Sequence, residues 1–518
     1  MNAFVLRRYW PILVMLLGLR LVYWLGAFPN PDEAYYWLWG QHLDWSYFDH
    51  PPWHAWVQGG FTAAFGRSPF VLRLPNLLTT GLLLWLYGVI CQRLYGRQGA
   101  NAFGLTVLLL LSSPLFFLFL AMAWHDHWLI WFGTVSGYCL IRFLSCDRPP
   151  VYAWLYAAGL LMGLAGLCKY VALLLGLGYL VAIASHPRWR SLFTNGHLYG
   201  AIGLALLVMT PVFWWNSQHD WASFQFYLGR SVQAESSTID WFGPIGFVLL
   251  SALLFGPLHS WLTWQCRQRG LMSPFGATYQ RVAFSVFATS SLLLAALSLI
   301  APVLYYWNIL AYPLLLPLLA GHFLSPQRLH GVRDRRLLHT TLGLGIVVAT
   351  VLVVHFTFMP LTALISDTGD DDTRMVYGWL PTAEWLKREA AAFAEPPLLL
   401  TTDYRSASAL AYILNDPTVL AISGRVDQFD FWYKTAELNG RSGLLLGDDW
   451  HPICPTHLTM FDETTSPTTF SAQHWGTFIK QYTLVRGNDF QAEGMTADPF
   501  SPEYPLAFTT DGEQCASP

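Results

Sequence analysis

Residues 30–53, NPDEAYYWLWGQHLDWSYFDHPPW, determine how the rest of the chain is interpreted. They follow an apolar segment and carry four carboxylates, two histidines and a dense set of aromatic side chains. Trp and Tyr rings favour the headgroup level of a membrane, whereas charges near a membrane are costly unless they have a function. The stretch therefore predicts a short helix along a membrane surface, which holds acids at the mouth of a membrane cavity. Pro51 and Pro52 are expected to end that helix.

The composition independently indicates a membrane protein. Of 518 residues, 54% are hydrophobic and 12% are charged, which is about half the charged fraction of a soluble domain. The net charge is -3, so nothing in the composition suggests a nucleic-acid partner. The seven cysteines form no Cys-x-x-Cys pair, which argues against a structural zinc site.

The chain contains about eleven apolar segments, each near the length that crosses a ~30 Å hydrocarbon core. Their approximate bounds are 9–28, 70–90, 100–121, 128–145, 152–167, 170–185, 198–214, 242–259, 281–300, 308–324 and 338–358. No small-residue cleavage site precedes the first segment, so we expect an uncleaved first helix rather than a signal peptide. The expected fold class is a mainly α, polytopic membrane protein with interfacial helices in the first external loop.

Basic residues accumulate on one side of these segments, and such residues mark cytoplasmic loops. With a cytoplasmic N-terminus, most arginines between Arg7 and Arg336 lie inside. The basic residues of the membrane part that then lie outside are Arg67, Arg73, Lys169 and Arg230. The carboxylates that lie outside are Asp32, Glu33, Asp44, Asp49, Asp126, Asp220, Glu235 and Asp240. Acids contribute little to topology, so their asymmetry suggests chemistry at the external face.

A second constellation is Trp124-His125-Asp126-His127-Trp128, at the external junction of the third and fourth segments. His125, Asp126 and His127 could ligate a divalent metal ion, or the aspartate could bind a sugar hydroxyl. The alternative is a solvated loop between two helices with aromatic anchors.

Lys169 lies between the fifth and sixth segments and is the only lysine before Lys387. A compact ammonium at a membrane surface is suited to a lipid phosphate. The alternative is a lysine that extends along the helix to the interface without a ligand.

Two further external segments carry polar and aromatic groups. Arg230 could pair with a phosphate or with Asp220, and a structural amphipathic loop is the alternative. Tyr305 and Tyr306 could line the same cavity or form an aromatic belt. The other residues expected to line a substrate cavity are Tyr35, Asp49, His50, His125 and His219.

Several of these motifs resemble one large family. Asp32-Glu33, Tyr35-Tyr36-Trp37 and Tyr47-Phe48-Asp49-His50-Pro51-Pro52 resemble the first external loop of the bacterial integral-membrane glycosyltransferases of the C type. These are related to protein O-mannosyltransferases and to the aminoarabinose transferase of lipid A. Residues 166–170 resemble the family's Gly-Leu-x-x-Lys-Tyr with one residue fewer before the lysine, and residues 215–224 resemble its Trp-Asn-x-x-His-x-Trp-x-Ser-Phe loop. The resemblance covers roughly the whole membrane part.

The resemblance implies that Asp32, the first acid of the pair, is the catalytic base, with Glu33 and Asp126 as further catalytic candidates. Lys169 would hold the phosphate of the lipid carrier, together with Arg230, Tyr305 and Tyr306. Relatives often carry an aspartate at the junction of Asp126, but more often with Thr or Pro before it. A metal ion is therefore an open question, and no other cofactor is expected.

The implied reaction is inverting transfer of a sugar from a polyprenyl-phosphate donor. The acceptor would be an envelope glycolipid, a glycan or a protein, at the periplasmic face of the bacterial inner membrane. A lipid transporter or flippase is an alternative, although its charges should lie near the bilayer midplane or in repeated halves. A non-catalytic membrane sensor is another, but it gives Asp32, Asp126 and Lys169 no reason to share one surface.

Two domains are predicted, a membrane domain over residues 1–358 and a periplasmic α/β domain over residues 359–518. Residues 367–372 form an acidic linker without the spaced ligands of a calcium-binding EF-hand. Strand-like residues 397–402 and 418–423 flank a helix-like segment, Tyr404–Leu414. This alternation predicts a small α/β unit.

We predict a disulfide between Cys454 and Cys515, the two cysteines of the predicted external domain. An oxidising compartment permits such a bridge, and it would fasten a C-terminal tail rich in Pro, Ser, Thr and Gly. The closed loop of ~60 residues would contribute roughly 4 kcal/mol in the chain-entropy model. The alternative is two unrelated cysteines. Thiol titration of protein prepared without reductant decides, since two free thiols at these positions contradict the bridge.

Overall fold

The computed structural model describes residues 4–146, 151–232, 239–268, 270–271, 273–324, 331–364, 375–423, 426–433 and 437–491. For residues 230–232 it describes the helical backbone but not the side chains. The described chain is mainly α-helical, as predicted, with a small sheet near the C-terminus.

The α-helices are Phe4–Gly26, Pro31–Gln41, Trp53–Phe65, Pro69–Tyr95, Gly99–Ser112, Pro114–Phe119, Asp126–Leu144, Tyr152–Gly166, Ala172–Ala184, Gly196–Val208, Thr210–Gln218, Ala222–Val232, Gly243–Phe255, Pro257–Arg267, Pro274–Leu297, Leu316–Gly321, Val332–Thr357, Trp379–Ala390, Tyr404–Leu414 and Pro455–Leu458. Short 3₁₀ helices lie at Gly96–Gln98, Arg190–Thr194, Tyr305–Ala311, Leu361–Leu364 and Gln428–Phe431.

Within the described ranges, four helical runs are long and apolar enough to cross a membrane. They are Val5–Gly26, Pro69–Ser112, Pro274–Leu297 and Val332–Thr357. The number rises to six if each of two bent helix pairs forms one span. The structure therefore confirms a polytopic α-helical membrane protein, whereas the count of about eleven spans stays a prediction.

In each of the two bent pairs, the second helix has a proline in its first turn. Gly196–Val208 and Thr210–Gln218 meet at 50°, with Pro211 in the first turn of the second helix. Gly243–Phe255 and Pro257–Arg267 meet at 100°. Gly256 between them has a φ of 119°, a backbone conformation that residues with a Cβ atom rarely adopt. Proline fits the first helical turn but cannot donate to the preceding helix, so each pair breaks at this point.

Besides the two bent pairs, the segment 100–121 divides into Gly99–Ser112 and Pro114–Phe119, and two further predictions about helix bounds are wrong. The segment 308–324 is not one helix, because it consists of the 3₁₀ helix Tyr305–Ala311 and the short helix Leu316–Gly321. Pro313 lies between them, and proline removes a backbone donor and disfavours a helical residue before it. The helix in the first external loop ends at Gln41 rather than at Pro51 and Pro52, which instead precede the helix Trp53–Phe65.

The chain divides into two compact units. The first unit comprises Met1–Leu21, Asp44–His54 and Arg73–Val351, as far as these are described. The second comprises the described residues of Val22–Leu43, Ala55–Leu72 and Leu352–Pro518. Residues 30–53 thus contribute to both units, which the sequence did not suggest. The predicted domain boundary at residue 358 stays a prediction.

In the second unit, the helix Pro31–Gln41 packs against the helix Tyr404–Leu414. The Trp37 ring meets the Tyr412 ring edge-on, with centroids 5.2 Å apart. On another side Gly40 approaches Gly59 so closely that a Cβ at position 40 would lie 2.6 Å from the Gly59 nitrogen. Only glycine permits such an approach, so these two positions fix how the helices cross.

The second unit also contains a six-stranded mixed sheet. Its strands are β1 Leu398–Thr401, β2 Leu420–Ala421, β3 Gly443–Asp448, β4 Phe461–Thr464, β5 Thr468–His474 and β6 Thr477–Phe490. β1 pairs in parallel with β2 and β3, while β6 pairs antiparallel with β3, β4 and β5. The predicted strand–helix–strand order around Tyr404–Leu414 is confirmed, and β3 to β6 were not predicted.

A buried charge cluster lies at the end of β3. Asp448 Oδ2 accepts a hydrogen bond from Lys480 Nζ at 2.8 Å, and both side chains are almost fully buried. The His451 ring lies 3.6 Å from Asp448 Oδ1. Burial opposes ionisation of Asp448, but the Lys480 ammonium and His451 outweigh it and hold the carboxyl pKa below its usual range.

Five of the cysteines are free thiols, and Cys454 is not one of them. They are Cys91, Cys139, Cys146, Cys168 and Cys266. Cys515 and the acidic linker 367–372 lie outside the described residues. The bridge between Cys454 and Cys515 therefore stays a prediction.

We predict that Lys480→Met destabilises the second unit at neutral pH, because it leaves the Asp448 carboxylate buried without its ammonium partner. The measurement is hydrogen–deuterium exchange of β3 and β6, with Lys387→Met, which removes an exposed lysine, as control. A depressed pKa stabilises the fold above the unfolded value and loses that effect as the pH falls. The difference from wild type should therefore shrink as the pH falls below about 4, the unfolded value. A defect independent of pH contradicts the ionic explanation.

Candidate active site

Asp32 and Glu33 begin the helix Pro31–Gln41 in the second unit. Asn30 caps this helix, since its side chain accepts a hydrogen bond from the Glu33 N–H at 2.9 Å. In return, Glu33 Oε2 accepts the Asn30 N–H at 3.0 Å, which completes a capping box. Glu33 is buried and Asp32 is partly exposed. The Glu33 carboxylate thus has a structural role, whereas Asp32 lies in the first helical turn, where the helix dipole favours an anion.

In the first unit, Asp126 and Lys169 form a buried ion pair. Asp126 begins the helix Asp126–Leu144, and Lys169 lies in the turn between Tyr152–Gly166 and Ala172–Ala184. The Lys169 ammonium is 3.1 Å from each of the two Asp126 carboxylate oxygens. The Lys169 side chain is 8% exposed and that of Asp126 is 1% exposed. Residues 43 positions apart are therefore held together where water has little access.

Aromatic rings form one wall beside this pair. The Lys169 ammonium lies 4.9 Å from the centre of the Tyr306 ring, within the range of a cation–π interaction. Tyr306 in turn packs against Phe119, and Tyr305 meets Tyr306 edge-on. Both tyrosines belong to the 3₁₀ helix Tyr305–Ala311. Tyr306 thus lies beside Lys169 and its partner Asp126, whereas a cavity lined by these residues stays a prediction.

Three histidine rings lie close together in the first unit. The His50 and His125 ring centres are 4.5 Å apart, and His54 lies 5.0 Å from His125. His125 precedes the helix Asp126–Leu144, and burial together with the neighbouring histidines and Lys169 holds its pKa well below the usual range. The His125 ring is therefore neutral at pH 7, which spares the fold a further buried charge next to Lys169.

Two residues near this cluster were missed by the sequence reasoning. The Tyr227 hydroxyl donates to the Asp49 carbonyl at 2.6 Å and lies 2.8 Å from His50 Nδ1. Tyr227 thereby holds the predicted residues Asp49 and His50. The second is His54, whose Nε2 donates to the Ala123 carbonyl at 2.7 Å. Tyr227 carries no sequence signal, whereas His54 directly follows the Pro-Pro-Trp motif.

The predicted metal ligands point to different partners. Asp126 binds Lys169, and His127 Nδ1 lies 2.9 Å from the Thr79 hydroxyl. In the part of the chain that the structure describes, no group of three or more His, Cys, Asp or Glu side chains is arranged to hold a metal ion. A divalent metal at His125, Asp126 and His127 stays an untested prediction.

Three candidates remain. Tyr35 is buried in the second unit, where its hydroxyl accepts the Gln428 N–H at 2.8 Å. His219 stacks on Trp215, with ring centres 4.1 Å apart, and its Nδ1 donates to the Trp215 carbonyl. Arg230 belongs to the helix Ala222–Val232, but its side chain lies outside the described part of the structure.

Comparison with known proteins supports the resemblance found in the sequence. Residues 49–215, which include Asp49, Asp126 and Lys169, match the family model described as dolichyl-phosphate-mannose-protein mannosyltransferase. The fold and this match confirm the resemblance to the integral-membrane glycosyltransferases of the C type. They favour this prediction over a transporter or a non-catalytic sensor.

Individual glycosyltransferases are also similar to this chain in sequence or in fold. The chain is 26% identical over 237 residues to the lipid A galacturonosyltransferase RgtD of Rhizobium johnstonii, covering 43% of this chain and 48% of RgtD. It thus spans about half the length of this curated relative. ArnT from Cupriavidus metallidurans bound to undecaprenyl phosphate has the same fold, with a TM-score of 0.62, 17% identity, and coverage of 96% of this chain and 99% of ArnT. The apo state of that ArnT matches with a TM-score of 0.60 and 16% identity, and the match covers 92% of this chain and 97% of ArnT.

We predict that Asp126→Leu and Lys169→Met each destabilise the protein by about 3 kcal/mol, because each leaves one buried charge without its partner. The double variant Asp126→Leu/Lys169→Met removes both charges and should lose much less stability. Thermal unfolding in detergent measures the three variants. Additive losses in the double variant would show that the two side chains are not coupled.

Proposed function

We propose that this protein transfers a sugar from a polyprenyl-phosphate donor to a lipid-linked acceptor at the periplasmic face of the bacterial inner membrane. The sugar is a hexose or a pentose, and the acceptor is an envelope glycolipid of the lipid A type rather than a glycan or a protein. The names of two relatives support this choice, since RgtD is a lipid A galacturonosyltransferase and ArnT was solved with undecaprenyl phosphate.

The observation that carries the proposal is the Lys169 ammonium, held by Asp126 within the segment that matches the mannosyltransferase model. An ammonium has three N–H donors, and the Asp126 oxygens accept two of them. Among the described residues no acceptor takes the third. A phosphate oxygen of the donor lipid can accept it, while Asp126 keeps the ammonium in position.

This geometry suggests a division of roles among the predicted catalytic acids. Both Asp126 oxygens are engaged by Lys169, so we assign Asp126 to positioning that lysine. Glu33 is buried and engaged in the capping box, so we assign the general base to Asp32, which is partly exposed in the first turn of the same helix. Tyr306 stabilises the Lys169 ammonium through its ring, and Arg230 is proposed as a second phosphate ligand.

In the proposed reaction, an Asp32 oxygen takes the proton from an acceptor hydroxyl or amine. The acceptor atom attacks the anomeric carbon and forms the new glycosidic bond. The bond between that carbon and the phosphate oxygen breaks, and the polyprenyl phosphate leaves with the electron pair. A direct displacement inverts the anomeric carbon. Lys169 stabilises the charge that develops on the leaving phosphate.

The proposed orientation follows from the basic residues. The N-terminus lies in the cytoplasm, and the C-terminal sheet lies in the periplasm, because arginines mark the cytoplasmic loops. This arrangement places the candidate acids on the side where a lipid-linked donor, rather than a nucleotide sugar, supplies the sugar.

We predict that Asp32→Asn lowers sugar transfer by at least ~10²-fold, because the amide keeps the size of the side chain but cannot accept a proton. The assay uses the purified protein in lipid, radiolabelled polyprenyl-phosphate sugars and membrane extracts as acceptor. Glu33→Gln is the matched control, since glutamine also completes a capping box and should lose far less activity. Normal turnover by Asp32→Asn would move the role of base to Glu33 or Asp126.

A further inference from the structure

The hairpin β5–β6 ends in an unusual turn. His474 pairs with Thr477, so Trp475 and Gly476 form a two-residue loop. Their φ angles are 50° and 78°, as a type I′ turn requires. Asn-Gly and Gly-Gly suit this turn, whereas a bulky residue at positive φ is a conformational outlier. The turn residue at position 475 is therefore not the one that hairpin formation alone would favour.

The Trp475 side chain is also hardly buried by the folding of the second unit. The side chain is 72% exposed, although one face of its ring stacks on His474. Phe478, two positions past the turn, is 38% exposed. Strained residues persist where they serve a further purpose. A large aromatic side chain held in water at a strained position points to a contact outside the unit.

The charge around the tip indicates which surface it fits. Residues 464–479 contain no Asp, Glu, Lys or Arg, and His474 is the only titratable side chain among them. An uncharged tip with Trp and Phe lacks the ionic groups that usually frame a docking site for a charged partner. Trp at the end of a polar element is typical of the membrane–water interface.

The position of the tip agrees with a membrane surface. His474 Nε2 donates to the carbonyl of Phe358 at 2.7 Å, and Phe358 directly follows the membrane-crossing helix Val332–Thr357. β6 also contacts the 3₁₀ helix Leu361–Leu364, in which Leu364 is 60% exposed. The tip is thus fastened to the point where an apolar helix ends, next to further exposed apolar side chains.

We propose that Trp475 and Phe478 insert into the headgroup layer of the membrane that the helix Val332–Thr357 crosses. The hairpin then attaches the sheet of the second unit to the lipid surface at a point 118 residues after that helix, as numbered from Thr357 to Trp475. Because the tip is uncharged, the attachment depends on the aromatic rings and not on anionic lipids. The inference is independent of the sugar-transfer reaction.

The experiment places a fluorescent label beside the tip of the full-length protein in lipid nanodiscs. Gln473→Cys carries an NBD label with Trp475 intact, and Ser466→Cys, in the turn before β5, carries the same label as control. Nitroxide-bearing lipids and aqueous iodide serve as the two quenchers. Protein without an added cysteine measures the background from the native thiols.

The label at position 473 should be quenched by the lipid nitroxide and protected from iodide, and the label at 466 should behave in the opposite way. Trp475→Asn in the Gln473→Cys background should abolish most of the lipid quenching. Since Asn-Gly suits a type I′ turn, this variant should keep or raise thermal stability, which separates lost membrane contact from unfolding. The quenching should be the same in zwitterionic and anionic nanodiscs.

Equal quenching at positions 473 and 466 would overturn the proposal and leave Trp475 for a protein or glycolipid partner. Lipid quenching that survives Trp475→Asn would also overturn it, because the aromatic ring would then not be the anchor.

Discussion

The Tyr35 hydroxyl accepts a hydrogen bond from the Gln428 N–H, and the Tyr35 ring lies against Tyr404 and Phe429. These contacts fix the rotation of the helix Pro31–Gln41 within the second unit. The capping box at Asn30 is local to the helix, but the direction in which Asp32 faces depends on this rotation. The role proposed for Asp32 therefore depends on an aromatic contact with the far end of the sequence.

Both units bury an aspartate–lysine pair, and the surroundings distinguish a structural pair from one that can receive a ligand. Asp448 accepts further hydrogen bonds from the backbone N–H groups of Trp450 and His451, so it is saturated by its own unit. The Lys169 ammonium instead lies against the Tyr306 ring and near His125. A buried pair of the first kind specifies a fold, whereas we propose that the second kind keeps one donor for an incoming anion.

The sequence predicted the membrane class and the outer location of Asp126 and Lys169, because both follow from apolar segment length and from charge at segment ends. It did not predict that the two side chains pair, since that depends on how helices distant in sequence pack. The sequence also did not predict the role of Glu33: the family resemblance made it a catalytic candidate, and its capping role required knowing that the helix starts at Pro31. The strand β6 was missed because Lys480, a charged residue, is buried within it.

The bond between Tyr35 and Gln428 joins residues 393 positions apart. At ribosomal rates of 5–20 residues per second, the second partner emerges roughly 20–80 s after the first. During that interval the aromatic face of the helix Pro31–Gln41 lacks the helix Tyr404–Leu414 and the 3₁₀ helix Gln428–Phe431, against which it packs. Assembly of the second unit is therefore a late event, and premature termination before Tyr404 would leave this helix as exposed hydrophobic surface for the quality-control machinery of the cell envelope.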